Sequence, residues 1–218
     1  FKRLITLFKL GRKLAKSDAL TIVSKFNKPP LLVTVIFKLL SFSFIKKDMS
    51  FDNLSEGEKL SNSLASMGTT FIKLGQFLAT RPDIIGDGLS KELESLQDKL
   101  PPFSQSKAKE MIRNDLGDEI YNSIINISEP VAAASIAQVH KAQIDDNGVI
   151  KDVAIKILRP DIKKIFNEEV DALMLFAFII ESLIKKTKRL KLVEVVFLLK
   201  EITSLEMDLR FEAAAANE

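Results

Sequence analysis

Two lysines are placed for phosphate chemistry. Lys156 closes the segment Val153-Ala154-Ile155-Lys156. On a strand of period two it shares a face with Ala154 and Leu158, while Val153, Ile155 and Ile157 take the other. An ammonium among apolar neighbours needs a counter-charge, because an unpaired buried charge is costly. The competing reading is an edge lysine whose stem covers apolar surface. Lys73 lies in Phe71-Ile72-Lys73-Leu74-Gly75-Gln76 and shares a helical polar face with Gln76 and Thr80. A solvated face is the plain alternative. Three acids follow in Leu205-Glu206-Met207-Asp208-Leu209-Arg210-Phe211-Glu212. Read as one helix, Asp208 and Glu212 repel at i, i+4 by roughly 0.2–0.5 kcal/mol unless a cation lies opposite. Glu206 and Arg210 form an attractive pair at the same spacing, which is the plain reading for Glu206.

The run Ala132-Ala133-Ala134-Ser135-Ile136-Ala137-Gln138-Val139-His140 precedes the Lys156 segment, and no glycine occurs from Pro130 to Lys141. A phosphate-cradling loop uses glycine so that backbone N–H groups can approach the anion. Alanine keeps a β-carbon and narrows the backbone, so a buried small-residue turn or a helix start explains the run equally well.

Composition removes several chemistries. With no Cys there is no disulfide, Fe–S or zinc-thiolate site, and the single His140 excludes a His-rich metal site. A Ser-His-Asp triad would have to use His140, which sits in a strand-like setting. The net charge of +3, no Trp and one Tyr argue against nucleic acid as a partner. The charge is unevenly spread. Lys2, Arg3, Lys9, Arg12, Lys13, Lys16 and Lys25 face only Asp18 in the first 27 residues, and Lys185, Lys186, Lys188, Arg189 and Lys191 form a second cluster. A membrane surface is the better partner for the basic end. No apolar run reaches the ~18 residues of a membrane span. Leu31 to Phe44 is interrupted by Lys38, and Ala172 to Ile180 is short.

The elements that must position these residues follow from periodicity. Residues 1–47 form a basic leader in which Phe1, Leu4, Ile5 and Phe8 share a helical face, broken at Pro29-Pro30. A helix is predicted over 55–80 from Leu64, Met67, Phe71, Leu74 and Leu78, with Gly68 and Gly75 marking close approach of another backbone. A short helix with Leu89, Leu93, Leu96 and Leu100 stops at Pro101-Pro102. Another runs from about Gln105 to Leu116 and is capped by Gly117. Strands are predicted over Val139 to Ile144 and Val153 to Leu158, joined by a hairpin at Asn147-Gly148. Helices resume near Asp161 and break near Thr187 to Lys191. The class is α+β, divided as 1–47 leader, 48–126 helical extension and 127–218 sheet with long helices.

Taken together, these segments closely resemble the UbiB family of atypical kinase-like proteins. Lys73, Gly75 and Gln76 match its K-x-G-Q element, with Arg81-Pro82-Asp83 following. Ala132 to Gln138 match its alanine-rich loop, Glu206 and Asp208 its E-x-D element, and Glu212 the glutamate after it. The resemblance implies a kinase-like N-lobe preceded by a helical extension. It implies ATP or ADP as cofactor, gripped by Lys156, Ala154 and the loop at Ala132, Ala133, Ala134 and Ser135. It also implies that Lys156 pairs with Glu212 and that Lys73 pairs with the E-x-D acids, with Glu206 as its partner. The implied role is in ubiquinone biosynthesis at a membrane, on the cytoplasmic face of a bacterial inner membrane or in mitochondria, with other ubiquinone-biosynthesis proteins as partners.

The match is partial. No His-Arg-Asp-like or Asp-Phe-Gly-like segment occurs, so the C-lobe and the ligands for the expected Mg²⁺ are missing. Phe1 and the helical pattern at the last residues read as cuts, so the expectation is a piece of a longer protein, inactive in phosphoryl transfer by itself. The alternative is a non-catalytic membrane- or partner-binding module from a truncated or split gene.

Overall fold

The computed structural model describes residues 5, 6, 8 and 9, 56–94, 96, 100–183 and 185–216. Ile5, Thr6, Phe8 and Lys9 are helical. The rest of the expected leader lies outside the described residues. In chain order the elements are α1 (Glu56–Met67), α2 (Thr69–Ala79), α3 (Pro82–Ile85), α4 (Asp87–Glu94) and α5 (Gln105–Ser123). Strands β1 (Ile124–Ala133), β2 (Ala137–Asp146) and β3 (Val149–Leu158) follow. Then come α6 (Ile162–Leu183), a 3₁₀ turn (Lys185–Leu190), α7 (Leu192–Glu206) and α8 (Leu209–Ala215). The class is α+β. Among the described residues no helix is long and apolar enough to cross a membrane. The residues pack into two units, one of 1–97 with 163–206 and one of 98–162 with 207–218.

In the first unit α1, α2 and α4 pack on one another, and α7 packs on α2. The single helix predicted over 55–80 is two. Gly68 adopts φ 105°, a region a side chain rarely enters, and the helix restarts at Thr69. The heptad survived the break in the sequence because only one residue is lost from the helical count. Leu64, Met67 and Phe71 all remain in the core.

Gly75 does mark a close approach, but to side chains. A β-carbon there would lie 2.5 Å from a methyl of Leu96 and 2.9 Å from a methyl of Leu64. Both obstacles are flexible leucine tips, and alanine gains roughly 1 kcal/mol of helix propensity over glycine. Gly75→Ala is therefore expected near neutral. Gly75→Val adds two γ-carbons to a filled space and is expected to cost about 2 kcal/mol. Urea unfolding midpoints of the two variants check this.

Helices α6 and α7 run antiparallel. Glu181 accepts from the Val193 amide at 3.2 Å, and Lys200 meets Asp171 at 3.4 Å. The break predicted near Thr187 to Lys191 is the 3₁₀ turn between them.

The second unit is an antiparallel sheet in the order β1-β2-β3, with α5 on one face. Ala108 and Ile112 of α5 pack on Ile157, with Ile127, Ile155, Met111 and Tyr121 around them. This is the apolar side of β3 that period-two alternation assigns. Ser104 caps α5 by accepting from the Lys107 amide. Gly117 breaks the helix at φ 81°, but helical turns continue to Ser123, beyond the predicted stop. Strand β1 was not read as a strand from the sequence. It carries Pro130, irregular pairing and an open edge, where a missing N–H is tolerated.

Candidate functional site

Lys156 projects from β3 beside α8, where its Nζ lies 2.5 Å from Glu212 Oε2. Val139 of β2 is its cross-strand neighbour, and Ala154, two residues back on the same face, is paired with Lys141. The Lys156 side chain is 34% exposed and that of Glu212 60%. An ion pair so open to water is worth about 0–1 kcal/mol. The part-exposed ammonium has three donors, so it can meet a further anion beside the carboxylate.

Helix α8 begins because Asp208 caps it, accepting from the Arg210 amide at 3.3 Å. The Arg210 fork closes back on the same carboxylate at 2.7 and 2.5 Å. That hydrogen bonding raises the Arg210 pKa. Two sequence expectations are corrected here. The acids do not share one helix, because Glu206 ends α7 and Met207 and Asp208 interrupt it. Arg210 pairs with Asp208, so the i, i+4 repulsion and the Glu206–Arg210 pair both fall away.

Within the first unit Lys73 Nζ lies 2.7 Å from Glu206 Oε2. Both ion pairs that the resemblance implies are thus formed. The Lys73 side chain is only 11% exposed and that of Glu206 42%. The two pairs differ in what their loss costs. Glu206→Gln weakens the bond to a mostly buried ammonium and is expected to destabilise by about 1–2 kcal/mol. Glu212→Gln is expected to cost under about 1 kcal/mol. Parallel denaturant titrations of the two variants test this order. Gln76 is half-buried one turn along α2, and Thr80 hydrogen-bonds its own helix at Phe77. After α2, Arg81 clamps Asp83 through two bonds of 2.8 and 2.7 Å, and hydrogen bonding to the guanidinium holds the Asp83 carboxyl below its usual range.

The alanine-rich segment is a hairpin turn. Ala132 and Ala133 end β1, Ala134 to Ile136 form the turn, and Ala137 starts β2. The small-residue turn considered from the sequence is the form observed. Ala132 is exposed, Ala133 and Ala134 are half-buried, and Ser135 is buried. Behind the turn lies a network that residue types did not reveal. Gln138, fully buried, accepts from the Phe103 amide at 2.9 Å. Its Nε2 donates to the Phe103 carbonyl at 3.2 Å and to His140 Nε2 at 2.9 Å. His140 Nδ1 then donates to the Ser128 carbonyl at 2.8 Å, which fixes the ring's tautomer. The lone histidine is structural.

On the Lys156 face of the sheet, Asn126 donates to Gln143 and Gln143 to Asp152, at 2.7 and 2.9 Å, making a polar rung across all three strands. Among the described residues no group of three or more acids or imidazoles is placed to hold a metal ion.

Comparison with known proteins gives this geometry a context. Residues 95–218 match the family model described as the ABC1 atypical kinase-like domain. Among curated proteins, the chain is 37% identical over 166 residues to the probable protein kinase UbiB of Marinobacter nauticus, covering 76% of this chain and 30% of that protein. It is 34% identical over 189 residues to the probable protein kinase UbiB of Shewanella pealeana, covering 86% of this chain and 34% of that one. The counterpart in Tolumonas auensis is 37% identical over 163 residues, covering 74% and 30%. A match over 86% of the chain leaves too few residues outside it to omit either Lys73 or Lys156. The chain spans about a third of the length of the curated relatives it matches. No solved structure matches it.

Proposed function

Because the chain belongs to the ABC1 atypical kinase-like family, we propose that it is the nucleotide-gripping, N-lobe part of a UbiB-like kinase or ATPase that binds ADP and ATP. The observation that carries this reading is the Lys156–Glu212 pair. A strand lysine, a helix glutamate and a small-residue hairpin turn occur in one packed unit. In kinases that combination holds the nucleotide's α- and β-phosphates.

In this reading Glu212 stays paired with Lys156 and anchors it, while the ammonium's remaining donors reach phosphate oxygens. Ala154 offers a flat apolar surface on the same face, and Ala132 to Ser135 flank the phosphates. Lys73, Gln76, Glu206 and Asp208 belong to the same function through the K-x-G-Q and E-x-D matches. Transfer of the γ-phosphoryl group requires residues of the kind that a longer chain supplies, and support of ubiquinone biosynthesis at a membrane is the role proposed for that longer protein. The basic leader would face the lipid headgroups.

The test is thermal melting of the 218-residue chain with ADP, ATP or neither. A rise of several degrees with a nucleotide is expected, since a ligand at 100 times its Kd adds about 2.7 kcal/mol. No shift with either, at millimolar concentration, overturns the reading.

A further inference from the structure

We propose that Arg159 is a positioning residue that locks the alanine-rich turn in one shape and thereby sets which nucleotide, ADP or ATP, the site prefers. The proposal deepens the nucleotide reading and rests on it.

Arg159 follows β3, three residues after Lys156. Its backbone amide donates to the Ile136 carbonyl at 2.8 Å, and its side-chain Nε donates to the Ala134 carbonyl at 3.0 Å. One residue thus takes a carbonyl from each side of Ser135. The rest of the guanidinium reaches into the segment before α5. Nη1 donates to the Pro101 carbonyl at 3.0 Å and Nη2 to the Leu100 carbonyl at 3.2 Å. The guanidinium reaches the three carbonyls from three separate nitrogens in a fixed plane, whereas a lysine's donors all radiate from one nitrogen.

The turn has little freedom left. Ala134 N donates to Ala137 O at 2.8 Å, closing the hairpin end. Ser135, Ile136 and Ala137 are all buried. None of the turn residues is among the non-glycine residues of positive φ, so the shape needs no glycine. A glycine loop can bend to follow phosphates of different number, but a turn held at both carbonyls cannot. Arg159 directly follows β3, the strand that carries Lys156, so the clamp also fixes the distance from the turn to the lysine. A cradle of preset depth distinguishes a diphosphate from a triphosphate, because preorganisation favours the ligand that fits without rearrangement.

The test measures ADP and ATP affinity of the 218-residue chain by calorimetry in wild type, Arg159→Met and Arg159→Lys. The ratio of the two dissociation constants is expected to move by about tenfold in Arg159→Met, the worth of roughly one charged hydrogen bond. Arg159→Lys covers the case in which the methionine variant does not fold. A role confined to stability would lower the melting temperature and move both constants together, and that result overturns the proposal. In an Ala134→Gly background, where the missing β-carbon widens the backbone freedom at the turn, the same substitution is expected to change the ratio less, as coupling through the turn requires. Full additivity in that cycle also overturns it. Hydrogen exchange at the amides of Ala134 to Gln138 gives a readout without nucleotide. Faster exchange is expected in Arg159→Met, and unchanged exchange removes the clamp. If wild type binds neither nucleotide, the nucleotide reading fails together with the selectivity claim, while exchange still decides whether Arg159 holds the turn.

Discussion

Lys156→Ala is expected to melt close to wild type in buffer and to gain nothing from ADP or ATP. The two halves of this result have separate causes. The Lys156–Glu212 pair is open to water on both partners, and exposed pairs contribute about 0–1 kcal/mol. At roughly 2–4 °C per kcal/mol for a chain of this size, the loss is a few degrees at most. The nucleotide-dependent rise, in contrast, depends on the ammonium meeting phosphate oxygens by charge-assisted hydrogen bonds. Alanine removes the charge and every donor. Glu212→Gln separates the lysine's charge from its orientation, because it leaves Lys156 in place but weakens its anchor, and a reduced shift is expected. A full rise in Lys156→Ala would place the phosphates elsewhere and leave the β3 lysine as an edge residue.

The contrast between the two lysines was only half legible in the sequence. The resemblance to the family, and not residue spacing, implies Lys73 with Glu206 and Lys156 with Glu212 as two pairs. Burial, which separates them energetically, is a property of packing that no motif states. Lys73 lies under the surface on α2, while Lys156 stands at the water's edge. The acids were read as one helix because Leu205 to Glu212 has no glycine or proline to end it. The stop comes from Asp208, whose side chain competes for a backbone amide and starts a new helix.

Local signals were read correctly where the chemistry is local. Asn147-Gly148 predicted a hairpin, and φ angles of 55° and 87° with Asp146 opposite Val149 are the two-residue turn it specifies. Gly68 was misread for the opposite reason. A glycine in phase with a heptad reads as a packing position, and only the backbone angle shows that it ends the helix. Strand β1 was hidden because its residues are held by pairing with β2 rather than by their own alternation. Gln138 and His140 stand within one short motif, but their partners, Phe103 and Ser128, lie 35 and 12 residues away. A hydrogen bond over such a distance leaves no trace in spacing.

That buried network gives the largest stability effect expected from a polar substitution. Gln138→Leu keeps approximate volume and removes three hydrogen bonds at one site. The Phe103 amide and carbonyl and His140 Nε2 lose their partner, and each unsatisfied buried group costs about 1–3 kcal/mol. Phe103 is only half-buried, so water recovers part of its share, and a total near 3 kcal/mol is expected. Urea unfolding would report it as a lower midpoint with an unchanged slope. Gln138→Glu is the sharper comparison. Its carboxylate still accepts from the Phe103 amide but cannot donate to the carbonyl or the imidazole, and it brings a charge to a fully buried position. It is expected to be at least as damaging as leucine, although it is the more conservative change on paper. A loss below about 0.5 kcal/mol in both variants would mean that the turn is held by other contacts. A large loss in both would mean that the alanine-rich turn keeps its place through a glutamine behind it, with the alanines supplying only the space.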